Sequence, residues 1–112
     1  MNGIIGSFRL GEDLAVALDA ISGDAATVTA ITARMKPATV AANRFVLDDG
    51  AAAIDLAVTS RGAAGWTVSL DHAATAGLAA GIYGIDARLA LTGAVEMTEQ
   101  TAFVALTQAA VA

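Results

Sequence analysis

The sequence predicts an all-β protein, an antiparallel β-sandwich of about seven short strands. Three observations favour this fold class. Apolar and polar residues alternate with a period of two, turn-forming residues separate the alternating segments, and the segments recur about every 8–12 residues. Because 112 residues is the length of one domain, we expect a single domain spanning residues 1–112.

Four segments carry the alternation, each with apolar side chains on one face and polar or small ones on the other. In the last of them Tyr83, Ile85 and Ala87 face inward. Asp86 and Arg88 then share the outward face of the same strand. The four predicted strands are Thr27–Lys36, Ala53–Arg61, Trp66–Asp71 and Tyr83–Leu91.

Turn-forming residues separate these strands. The triplet Asp48–Gly50 predicts a tight hairpin between Phe45–Leu47 and Ala52–Val58, with Gly50 at positive φ. Pro37 follows a predicted strand directly, where its missing N–H does little harm. The remaining turn signals are Ser22–Asp24, Arg61–Gly65 and Thr92–Gly93.

A single short helical turn is expected in Asp71–Gly81. This segment is rich in alanine, which favours helix, and Asp71 is placed to cap the turn, whereas Gly77 and Gly81 keep it short. The C-terminal segment from Phe103 predicts a last strand followed by an apolar tail.

Composition excludes several classes of protein. The hydrophobic fraction of 56% and mean hydropathy of +0.65 owe much to 29 alanines, and no apolar run approaches the roughly 18 residues of a spanning helix. The N-terminus has no basic region before its short apolar run, so we expect no secretory signal. We therefore expect no membrane partner.

Charge and cysteine content narrow the chemistry further. The net charge is −5 and the six basic residues are scattered, so nucleic acid is not an expected partner. The absence of cysteine excludes disulfides, thiolate catalysis and cysteine metal sites. Because alanine buries little area, the core is thin, and we expect association with other chains. No cofactor is expected.

Two sets of polar residues are candidates for functional sites. His72, the single histidine, is interpreted as a solvated loop residue, because one histidine lacks the partners of a catalytic triad or zinc site. The carboxylates Asp48, Asp49, Asp55, Asp71 and Asp86 are interpreted as turn and surface residues, since their spacing is not that of a calcium loop.

Three residues are candidates for an interface. Asp86 and Arg88 fit either an ion pair with a neighbouring strand or a contact with another subunit. Phe103 and the tail after it either close the sandwich as its last strand or pack on a partner chain, and both can hold together.

Leu78, Gly81 and Tyr83 have the spacing Leu–x–x–Gly–x–Tyr, which is typical of a tyrosine corner in Greek-key sandwiches. There the tyrosine hydroxyl donates to backbone a few residues upstream. With Gly11–Glu12, Ser22–Asp24 and the segment Gly93–Thr98, most of residues 7–106 resembles small immunoglobulin-like structural proteins of tailed bacteriophages. The order of motifs is also similar to the N-terminal domain of phage baseplate upper proteins.

This resemblance implies a fold and a role without catalytic residues. The expected fold is an immunoglobulin-like Greek-key sandwich. The expected role is a non-enzymatic adaptor at the tail tip or baseplate of a virion, made in the host cytoplasm, with other virion proteins or further copies of the chain as partners. A capsid decoration or head-fibre protein is the alternative within this class.

A carbohydrate- or receptor-binding module is the alternative from another class. It would require an exposed aromatic side chain, and Trp66 is the strongest candidate in the sequence. The alternation of Trp66 with Val68 and Leu70 instead predicts that Trp66 lies in the core.

Overall fold

The computed structural model describes residues 4–19, 28–60, 65–91, 94–97 and 101–108. Within them the protein is all-β apart from one short helix, which confirms the predicted class. The elements are β1 (Ile4–Arg9), β2 (Leu14–Asp19), β3 (Val28–Ala41), β4 (Arg44–Leu47), β5 (Ile54–Ser60), β6 (Gly65–Leu70), α1 (His72–Ala76), β7 (Gly81–Leu91), β8 (Ala94–Met97) and β9 (Ala102–Thr107).

Seven of the described strands form one continuous path of pairings, in the order β1-β9-β7-β3-β5-β6-β2. Strand β4 branches from β3, and β8 branches from β7. The pairing of β1 with β9 is parallel, whereas the others are antiparallel. The sheet is therefore mixed, and the prediction of a wholly antiparallel arrangement was wrong at this edge.

The predicted hairpin at Asp48–Gly50 was also wrong. Strands β4 and β5 both pair antiparallel with β3, so they follow one another along the same edge instead of pairing together. Pro37 explains the break between them. The Asp48 N–H donates to the Pro37 carbonyl, but Pro37 has no N–H to return, and the Asp48 carbonyl accepts from Ala51 N instead. Gly50 does not have the expected positive φ.

The tight hairpin lies between β3 and β4. Ala41 pairs with Arg44, which leaves Ala42 and Asn43 as a two-residue loop. Both have positive φ, 50° and 60°, as a type I′ turn requires. The sequence signal for this β3–β4 hairpin was weak, because alanine rarely adopts a positive φ. The predicted turns at 22–24 and 92–93, residues 61–64 and the tail from 109 lie outside the described residues.

Side chains from strands near both ends of the strand order, such as β9 and β2, pack in one core. The sheet therefore curls around this core. The predicted inward faces of β3 and β7 are confirmed, with Met35 and Ile85 at most 1% exposed. Ala33 and Ala87, which are cross-strand partners, are equally buried. The core cluster is Leu14, Val16, Ala33, Met35, Leu56, Val68, Tyr83, Ile85, Ala87, Val104 and Leu106.

Candidate functional site

Tyr83 lies at the start of β7 and is 5% exposed. Its hydroxyl donates to the Ala79 carbonyl over 2.7 Å, which confirms the predicted bond to backbone upstream. Burial raises the pKa of Tyr83 above its ordinary value. The tyrosine thereby fixes the segment between α1 and β7.

The approach to Tyr83 has the expected features. Asp71 caps α1, because its Oδ1 accepts from Ala74 N over 2.9 Å. Leu78 is half-buried against the core. Gly81 has a φ of 155°, a conformation that side chains with a Cβ rarely adopt. These residues shape the approach of the chain to Tyr83.

Polar groups join the start of α1 to the β1–β2 loop. His72 donates from its backbone N–H to Asp13 Oδ1 over 2.7 Å, and its ring Nδ1 lies 3.0 Å from the same oxygen. Thr75 is fully buried, and its hydroxyl donates to the Glu12 carbonyl over 2.7 Å. Gly11 N donates to Thr75 Oγ1 over 3.2 Å.

This arrangement fastens the β1–β2 loop to the start of α1. The ring hydrogen bond from His72, followed by the backbone one, lowers the pKa of Asp13 below its ordinary value. A catalytic pair would need a free nucleophile within reach, but the Thr75 proton is committed to a carbonyl. His72 is exposed as expected, although it begins a helix and does not lie in a loop.

No group of three or more metal-ligating side chains occurs in the part of the chain that the structure describes. Among the same residues, no helix has the length and hydropathy to cross a membrane.

The outward face of β3, β5 and β7 carries charged residues. Arg34 Nε donates to Asp55 Oδ1 over 2.8 Å, with both side chains more than half exposed. Asp86 lies opposite Arg34 on the other side of β3, and Arg88 lies opposite Thr32. The outward placement of Asp86 and Arg88 is as predicted, and their role as interface residues stays a prediction.

Phe103 also lies away from the core cluster, but this chain covers it. It is 5% exposed, and its ring packs against Phe45 with the centroids 5.6 Å apart. Gly84 lies beneath this contact, since a Cβ there would meet Leu47, Thr101 and Phe103. The prediction that the segment from Phe103 forms a last strand is confirmed by β9. Phe103 itself offers little free surface to a partner.

Four large apolar side chains are exposed among the described residues: Ile4 (43%), Ile5 (61%), Val40 (60%) and Val46 (39%). Ile4 pairs with Phe103, and Val40 pairs with Phe45, so the two exposed residues border the covered ring contact. We call Ile4, Val40, Phe45 and Phe103 the outer apolar surface. Ile5 adjoins it at the irregular start of β1.

Sequence reasoning missed this surface, although one signal was present. Consecutive side chains of a strand point to opposite faces, so the adjacent pair Ile4 and Ile5 cannot both enter one core. Trp66, in contrast, is half-buried opposite Leu18 of β2. The alternation predicted that Trp66 and Val68 both lie in the core. Val68 is fully buried, whereas Trp66 is only half-buried.

No family model matches the chain, and the search of curated proteins found no match to it.

Proposed function

We propose that the protein is an immunoglobulin-like Greek-key sandwich that acts as a non-enzymatic assembly module. The strand order supports the fold. Strands β2, β6 and β5 have the order of strands B, E and D in immunoglobulin domains, and β3, β7 and β9 have that of C, F and G. Tyr83 then stands near the start of strand F, where a tyrosine corner belongs.

The observation that carries the assembly role is the exposure of large apolar side chains whose strand partners are the two rings of the Phe45–Phe103 contact. Ile4, Ile5 and Val40 are between 43% and 61% exposed, and they adjoin a buried aromatic contact. Apolar residues grouped in this way mark surfaces that other proteins cover. By contrast, the polar cluster at His72 is occupied in holding a loop.

The resemblance to phage structural proteins suggests which assembly the chain would join. In this proposal the chain is an adaptor in a tailed-phage virion, at the tail tip or baseplate, bound to other virion proteins. Multiple copies would let weak individual contacts hold by avidity. Particles released from the cells that encode the chain should contain it in a fixed number of copies, as measured by mass spectrometry of gradient-purified particles. Its absence from such particles would refute the virion role.

Two alternatives are separated by simple measurements. A capsid decoration or head-fibre protein would fractionate with heads after the particles are broken, whereas a baseplate adaptor would stay with tails. A carbohydrate-binding module needs an accessible aromatic platform, and half-buried Trp66 is the residue to test. A shift of its fluorescence on adding glycans would favour that alternative.

A further inference from the structure

The path of paired strands has two ends, and each end is an open edge in the described part of the chain. Strand β1 pairs with β9 on one side, and β2 pairs with β6 on one side. Open edges carry backbone groups that accept a strand from another chain unless they are protected. The two edges differ in how they are protected.

The edge of β1 is blocked at its C-terminal end. Leu10 N donates to the Thr107 carbonyl of β9. Because alternate residues point to opposite edges, the backbone groups of Ser7 and Arg9 face away from β9. Arg9 N donates to Glu12 Oε1 over 2.5 Å, and the Arg9 carbonyl accepts from Glu12 N over 3.1 Å. Within the described residues, Ser7 therefore presents the open backbone groups of this edge.

The residues that precede Ser7 in β1 are uncharged, whereas Arg9 follows it. The segment Ile4–Ser7 contains no ionisable residue, although the whole chain has a net charge of −5. Strand β2 differs, because Asp13 precedes it and Asp19 ends it. Acidic residues therefore flank the β2 edge, and a second copy paired antiparallel along it would bring like charges close together, which is destabilising.

We propose that two copies of this chain associate through antiparallel pairing of their β1 edges over Ile4–Ser7. This segment has no charged side chain, so two copies of it do not repel each other. Pairing also covers Ile4 and Ile5, which are 43% and 61% exposed. The proposal rests on the proposed assembly function, since it names the first partner of the module.

Light scattering during size-exclusion chromatography, with sedimentation over about 1–200 μM of the full chain, tests the pairing. The mass should rise with concentration from 11.1 kDa toward twice that value. Ile5→Lys places two like charges at the pairing, and Ser7→Pro removes an N–H from the open edge alone. Each should weaken the association by at least about tenfold.

Val40→Lys is the matched control, because Val40 is 60% exposed but lies on the β3–β4 hairpin, away from β1. It should leave the association unchanged, and urea unfolding should show that every variant is folded. A chain that stays monomeric at all concentrations would overturn the proposal. So would a dimer that survives both edge variants, or one that Val40→Lys abolishes. A monomeric chain could still be a component of the particle, which mass spectrometry of purified particles tests separately. Failure of the pairing and failure of the virion role are therefore distinguishable.

Discussion

Replacing Tyr83 with phenylalanine removes one hydroxyl whose surroundings are well defined. The hydroxyl donates over 2.7 Å to the Ala79 carbonyl, and the tyrosine is 5% exposed. Ala79 is exposed, so water can reach its carbonyl in the variant, and the loss is the net worth of a buried hydrogen bond. The free energy of unfolding should fall by about 0.5–1.5 kcal/mol.

Urea unfolding followed by the fluorescence of Trp66 measures this loss. The midpoint should fall while the slope stays constant, because the variant exposes the same surface on unfolding. Thr107→Val is the matched control: its hydroxyl also donates to a carbonyl, that of Phe8, but over 3.4 Å and in an exposed position. Equal stability of Tyr83→Phe and wild type would show that the bond does not pin this corner.

Three further predictions concern Gly84, Thr75 and Asp13. Gly84→Ala should destabilise by about 1–3 kcal/mol in urea unfolding, because the new Cβ enters the space of Leu47. Thr75→Val should cost about 1–3 kcal/mol, because it leaves backbone groups of the β1–β2 loop without their buried partner. Asp13→Asn should remove a pH-dependent part of the stability. A carboxyl with a lowered pKa stabilises the fold above the ordinary value of 3.8, so the advantage of wild type should be full there and vanish in stronger acid.

Each of these predictions has a contradicting result. For the glycine, Gly50→Ala is the control, since a Cβ there makes an ordinary contact with Asp48 at 3.5 Å, and equal losses at both glycines would refute crowding. Exposed Thr59→Val serves as the control for Thr75, and equal losses would mean that the loop is not held by the buried hydroxyl. A wild-type advantage over Asp13→Asn that is independent of pH would exclude an ionic contribution.

The sequence predicted the strands whose alternation reflects one buried and one exposed face. In β7, Tyr83 and Ile85 enter the core and Arg88 faces solvent, as the period of two indicated. The candidate Tyr83 bond was predictable because three spaced residues define it. Both successes depend on local patterns along the chain.

Pairing between distant strands was less predictable. The effect of Pro37 on Asp48 depends on which strand lies beside Pro37, and local sequence does not reveal that strand. The acidic segment predicted as a hairpin turn instead connects β4 and β5, which both pair with β3. The parallel pairing of β1 with β9 joins segments about a hundred residues apart, and Ile4 becomes an edge residue through that pairing alone. Local alternation carries no information about such neighbours.

Strand β5 has a mechanical consequence for the whole domain. Its residues Ile54–Leu56 pair with β3, whereas Ala57–Ser60 pair with β6, so one strand belongs to both halves of the strand path. The halves cannot separate along this side without breaking β5. We therefore expect the amide hydrogens of both parts of β5 to exchange with solvent through one common opening, as a single cooperative unit.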